Sequence, residues 1–239
     1  MDVKTYKKDY IYSYTQGAFP TIELIKNKHL FVDKVIMHSS FKNEVVIDEI
    51  KSYIDNSRIF INDKLVEKLS DKGNQFIIGV FKKYECSLDE NKDHILLDNP
   101  SNMGNLGTII RSSLGFGIKN IAIIKPGVDI FDPKVIRSSM GSIFSTNIEY
   151  FDSLEEYKEK YSNHTIYSFM LQATKSLRDE SFINSPLTLA FGNESSGLDL
   201  KYLNENSLII KHSKAIDSLN ITNAVSIALY EYSSKKSSY

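Results

Sequence analysis

Beyond residue 90 the chain carries five short runs of apolar and β-branched residues. They are HILLD (94–98), NIAII (120–124), TIYSFM (165–170), LTLAF (187–191) and SLIIK (207–211). None alternates strictly between apolar and polar, so each needs cover on both faces, and the spacers between them are long enough to act as crossovers. That pattern predicts an α/β domain built on a parallel sheet. The chain closes on an amphipathic helix, in which Ile221, Ala224, Val225, Ala228, Leu229 and Tyr232 fall on one face. Asp217 or Ser218 is placed to cap it.

A second set of elements precedes these. KVIMH (34–38), RIFIN (58–62) and QFIIGVF (75–81) predict short buried strands. NEVVIDEIKSYI (43–54) and TIELIKN, which follows Gly17 and Pro20, carry helical spacing. Strands alternating with helices at this scale suggest a small α/β sandwich. YECSLDENKD (84–93) has no apolar period and is read as a linker. The expected organisation is therefore a front domain at 1–85, a linker at 86–92 and a larger domain at 93–239. At the start, Lys4, Lys7 and Lys8 interleave with Tyr6, Tyr10, Tyr12 and Tyr14, a pattern that suits either an RNA-facing arm or a solvated terminus.

With 41% apolar and 25% charged residues in 239, disorder and fibres are excluded, and no run approaches the roughly 20 apolar residues of a membrane span. The start is too charged for a secretory signal, so a cytoplasmic protein is expected. Cys86 stands alone, which excludes an internal disulfide and agrees with a reducing compartment. The five histidines offer no metal-ligand spacing, so no metal is expected. A formal net charge of −1 means that any nucleic-acid contact is local.

Three turns follow predicted strand ends, where open α/β sheets place ligands. In DNPSNMGNLGTIIRSSLGFG (98–117), Gly104 and Gly107 permit a sharp turn before a helix carrying Arg111. This is neither a dinucleotide fingerprint nor a P-loop. In LAFGNESSGL (189–198), Gly192 would let a ligand lie against the main chain, with Glu194 at the rim. In IKHSKAIDSLNITNAV (210–225), Ser218 and Asn220 meet the orphan N–H groups of the last helix. Each turn taken alone also reads as an ordinary capped junction.

Four blocks carry a resemblance. NLGTIIR (105–111), PKVIRSSMGSIF (133–144), FGNESSGL (191–198) and DSLNITNAV (217–225) stand in the order of the SpoU/TrmH family of RNA ribose methyltransferases, within the SPOUT superfamily. The resemblance implies a C-terminal trefoil-knotted methyltransferase domain that binds S-adenosyl-L-methionine and works as a homodimer. It implies cofactor contacts at Leu189, Gly192, Asn193, Ile210 and Leu219. It implies catalytic roles for Asn105, Arg111, Glu194, Ser218 and Asn220, and contact of Arg137 with substrate or the partner subunit. YSYTQGAFPTIELIKN (12–27) and GNQFIIGVFKKY (73–84) are similar to the family's substrate-binding domain, which points to ribosomal before transfer RNA, while the basic and tyrosine cluster at the start puts Lys7 and Lys8 forward as RNA contacts. Where many relatives have Asp-Pro this chain has Asn102-Met103, and Lys211 replaces a common proline. The competing classes are an RNA-binding protein of the same fold without transfer activity and a transfer-RNA ribose methyltransferase.

Overall fold

The structure, a computed structural model, describes residues 3–71, 73, 75–182 and 185–236. It divides into two units. In the first, β1 (Tyr12–Tyr14), α1 (Ala18–Lys28), β2 (Val32–Met37), α2 (Glu44–Tyr53), β3 (Ile59–Ile61), α3 (Asp63–Leu69) and β4 (Ile77–Lys82) follow in chain order. The sheet runs β1-β4-β2-β3, antiparallel except for the parallel β2–β3 pair. Asn43 and Asn62 start α2 and α3 by accepting hydrogen bonds from Val46 N and Leu65 N, as N-caps do. The three strands and two helices expected here are all present, and β1 joins them.

The N-terminal segment is neither a stacking arm nor a frayed end. Val3, Tyr12 and Tyr14 are buried, and the hydroxyls of Tyr12 and Tyr14 accept from Lys4 N and Tyr6 N at 3.0 and 3.3 Å. The Tyr6 hydroxyl donates to Asp129. These rings therefore serve the core, while Lys4, Lys7 and Lys8 stay exposed.

Asp129–Ser145, placed by the sequence reading in the larger domain, packs with the first unit. It contains α5 (Pro133–Ser138), capped by Asp132 with proline at its first position. Phe131 and Phe144 meet Phe81 edge-on at 5.9 and 5.3 Å. Gly141, at φ +80, sits where a Cβ would come within 2.8 Å of Glu23 Cβ, so only glycine lets this turn lie against α1.

The second unit holds β5 (His94–Asp98), α4 (Met103–Gly115), β6 (Asn120–Ile124), β7 (Asn147–Phe151), α6 (Leu154–Lys160), β8 (Thr165–Ser168), β9 (Lys175–Ser176), β10 (Leu187–Phe191), β11 (Leu208–Ile209) and α7 (Ile221–Lys236). Its main sheet is parallel throughout, in the order β7-β6-β5-β10-β8. Leu96, Ala122 and Ala190 join Phe151, Tyr157 and Tyr161 in one core cluster, while α4 and α7 pack together through faces that bury Ile109, Ile110, Val225 and Leu229. The chain order reverses around β5, which opens a crevice at the C-terminal strand ends.

Two expectations change. SLIIK does not enter the main sheet: only Leu208–Ile209 is strand, and it pairs with β9. The Leu208 carbonyl accepts from Met170 N, so the run is spent closing a loop. The fifth strand is instead NIEYF, β7, an edge strand whose Glu149 and Tyr150 are only partly buried. That half-covered pattern hid it among the fully buried runs.

At the opposite end of the sheet His94 is wholly buried between the Tyr157 hydroxyl and the Asp89 carbonyl, each 2.9 Å from a ring nitrogen. Burial, with the His164 ring 4.2 Å away between centroids, pushes its pKa from 6.5 down to about 4. The native state thus refuses a proton that the unfolded chain accepts. Stability should be full above pH 6.5 and fall as the pH drops towards 4. Urea midpoints measured across that window should show the decline, and His94→Gln should flatten it.

Candidate functional site

The loop after β10 folds back on itself. A Cβ on Gly192 would lie 2.0 Å from the carbonyl carbon of Gly197 and 2.2 Å from Leu198 N, so no other residue fits. The main chain that approaches Gly192 is thus its own loop, where the sequence suggested a ligand. Asn193 pairs with Gly197 in a short antiparallel bridge, and Gly197, at φ +70, makes the return. Asn193 Oδ1 accepts from Ser195 N and Oγ at 2.9 and 2.8 Å, and its Nδ2 donates to the Asn99 carbonyl at 2.6 Å.

That loop aims Glu194 at the start of α4. Its carboxylate accepts from Ser101 N at 3.1 Å, Ser101 Oγ at 2.7 Å, Asn102 N at 3.1 Å and Asn105 Nδ2 at 3.2 Å. Burial alone would push the Glu194 carboxyl up. The hydrogen bonds from Ser101 and Asn105 outweigh it and hold the group below the usual carboxylate range. The position suits an anion, because free N–H groups and the positive end of the helix dipole meet there. Asn102 Oδ1 meanwhile accepts from Asn105 N at 3.0 Å as the N-cap of α4. Asn102 thus supplies the capping oxygen that an aspartate would, and the departure from Asp-Pro leaves the turn intact.

Beside the loop lies a cavity of about 310 Å³ at the C-terminal end of the sheet. Of the residues singled out in sequence, Gly192, Asn193, Glu194, Ile210, Ser218 and Leu219 line it. Asn105 reaches it through Glu194. Leu189 does not line it: this side chain is fully buried within β10, between β5 and β8, and acts as support behind the site. Arg111 does not line it either, and stands on an exposed stripe of α4 with Gly104, Thr108 and Gly115. Asn220 caps α7 by accepting from Thr222 N and Oγ1 at 2.8 and 2.6 Å, so the cap is neither Asp217 nor Ser218. Arg137 belongs to the first unit, where its Nη1 donates to Gln16 Oε1 at 2.8 Å and to Asp71 at 2.5 Å.

The sequence reading missed Phe169, Phe191 and His212 in the lining. An aromatic at the C-terminal end of two predicted strands was the available signal for the first two.

The family model described as the SpoU rRNA Methylase family matches residues 92–230, more than half of the chain. The chain belongs to this family. It is 33% identical over 143 residues to an uncharacterized tRNA/rRNA methyltransferase of Synechocystis sp., covering 57% of this chain and 51% of that protein. It is 30% identical over 146 residues to the 23S rRNA (uridine(2479)-2'-O)-methyltransferase of Streptomyces viridochromogenes, covering 57% and 50%. The chain thus spans about half the length of these relatives. The solved SpoU methyltransferase AviRb of Streptomyces viridochromogenes superposes with a TM-score of 0.80 at 22% identity over 95% of this chain and 90% of that one. The AdoMet-bound rRNA methyltransferase of Sinorhizobium meliloti superposes at 0.81 and 21%, over 96% and 89%. These likenesses show the fold: an α/β SpoU-type domain preceded by a small α/β unit.

Replacing Glu194 by glutamine keeps the shape but turns an amide donor towards N–H groups that need an acceptor. Glu194→Gln should cost roughly 1–2 kcal/mol, as expected for losing hydrogen bonds to a charged group that is partly exposed. Urea unfolding would read this loss, and amide exchange should show Ser101 and Asn102 losing protection.

Proposed function

We propose that the chain is an S-adenosyl-L-methionine-dependent methyltransferase acting on a ribose 2'-hydroxyl of RNA, ribosomal before transfer RNA. The observation that carries this is the meeting of two motif loops, Gly192–Leu198 and Ile209–Leu219, around one cavity whose Glu194 holds Asn105 of the third. The 2'-O-methyltransferase of 23S rRNA from Streptomyces viridochromogenes and the AdoMet-bound rRNA methyltransferase of Sinorhizobium meliloti, both similar to this chain, support the reading.

The cavity fits the cofactor's chemistry. At about 310 Å³ it reaches the size of a small-ligand site, and it combines apolar walls with hydroxyls and carboxylates. Gly192, Asn193, Ile210 and Leu219 would hold the cofactor, with Leu189 behind them. When bound, S-adenosylmethionine supplies an electrophilic methyl group on positively charged sulfur, so the protein's main task is alignment. A guanidinium makes a poor general base. That of Arg111, which is exposed, instead pairs with an RNA phosphate and stabilises the developing 2'-oxyanion, while the proton passes to water or phosphate. Glu194 fixes the Asn105 amide, Ser218 offers a hydroxyl on the cavity wall, and Asn220 sets the start of α7 beside it. Arg137 is already engaged by Asp71, so RNA contacts in the first unit fall to exposed Lys7 and Lys8.

The working unit in this reading is a homodimer with a knotted second unit. Ile227 and Tyr230 of α7 are 40% and 63% exposed on one side of that helix, which suits a subunit contact. Among the described residues no helix is long and apolar enough to cross a membrane and no cluster of metal-ligating side chains occurs; the cytoplasm is the proposed site of action. A second reading, an RNA-binding protein without transfer, draws on the absence of Arg111 from the cavity lining.

Mapping 2'-O-methylation across cellular RNA with and without the protein tests the activity and separates the readings. One ribosomal position should lose its mark; an unchanged map with RNA still bound would favour the second reading. Arg111→Lys keeps a point charge but loses the planar fork, and should slow single-turnover transfer about 100-fold or more. Near-normal transfer would rule out the fork. Tyr230→Glu should sediment as a monomer at micromolar concentration, where the wild type sediments as a dimer.

A further inference from the structure

The lining of the cavity contains a pair of rings for which no motif role has been assigned. Phe169 and Phe191 follow one another across adjacent parallel strands: Ala190 pairs with Ser168, and Phe169 N donates to the Ala190 carbonyl at 2.9 Å. Their rings are stacked, with centroids 4.5 Å apart and planes 8° from parallel. Both border the cavity, yet Phe191 is only 2% exposed while Phe169 is half-buried. A two-ring stack has two outer faces. The one belonging to Phe191 is covered, so the accessible π surface is that of Phe169. Met170, Leu171 and Leu198 add apolar surface to the same lining.

We propose that Phe169 is the platform on which the purine of the methyl donor stacks, extending the Phe191–Phe169 pair by a third ring. This rests on the cofactor reading above. The donor has one planar aromatic part, its adenine, and stacking on an aromatic face is how proteins hold a base with little demand on its hydrogen-bonding edge. The remainder of the donor is a ribose and a charged amino-acid arm, which match the carboxylates and hydroxyls of the lining, Glu194, Asp217 and Ser218 among them. Phe169 then fixes affinity for the adenosine moiety and not for the arm.

The chain contains no tryptophan, so Phe169→Trp creates a single fluorescent reporter at the platform. Its emission should be quenched on titration with adenosine and with S-adenosylhomocysteine, and unchanged by methionine. Calorimetry on Phe169→Leu should show adenosine and S-adenosylhomocysteine each bound about ten-fold or more weakly than by wild type, with the melting curve as a check on folding. If the leucine variant does not fold, the tryptophan titration decides. Equal binding by wild type and Phe169→Leu overturns the platform and leaves the cofactor reading standing. Weakening confined to S-adenosylmethionine, with adenosine unaffected, would place the sulfonium over the ring and likewise overturn it. A wild-type protein that binds none of these ligands ends both.

Discussion

The candidate site depends on one carboxylate. Glu194 sits within a loop so tight that only glycine fits at its first position, and it gathers two backbone N–H groups, a hydroxyl and an amide at the start of α4. Without it, the N-terminal turn of that helix would face the crevice with unmet donors, and the hydrogen bond from Asn193 to the Asn99 carbonyl would be left to fasten the loops after β5 and β10. Its depressed pKa expresses the same fact: the anion is worth more in place than in water because its partners are fixed before it arrives. A residue expected to take part in chemistry is first of all the piece that gives Asn105 a definite orientation.

Much of this was legible. Four of the five predicted strands of the main sheet were correct, three of them to the residue, because a strand buried on both faces writes itself as an unbroken apolar run. The strand that escaped, Asn147–Phe151, lies at the sheet edge and needs cover on only part of its surface. The glycine turn after β10 was marked correctly, since the crowded backbone at Gly192 leaves few residue choices, whereas Gly104 and Gly107, expected to form the turn after β5, lie inside α4. What a linear string does not carry is which group spends itself on which. Arg137 lies within a motif block yet is held by Asp71, Tyr12 and Tyr14 look like a base-stacking series yet fill a core, and Leu189 stands two residues before the cavity yet faces neither it nor solvent. Family resemblance supplied names for positions; contacts assigned their duties.

The two ends of the second unit's sheet show a division of labour that open α/β folds permit. The C-terminal ends carry polar loops whose groups are available to a ligand, and the N-terminal end buries imidazole and phenol groups with internal partners. Side chains of similar chemistry thus hold the scaffold at one pole and face the crevice at the other. The distinction is burial, which sets whether a group answers to solvent or only to its neighbours.

Asp129–Ser145 has a consequence for how such a protein diversifies. The chain enters the second unit, leaves it after Val128 to complete the first, and returns at Thr146. Phe131 and Phe144 are then cut off from Phe81 in any recombinant that trades only the front segment. The front unit is therefore not one contiguous stretch of sequence: exchanging it whole takes matched junctions at three points along the gene, after Tyr84, after Val128 and after Ser145.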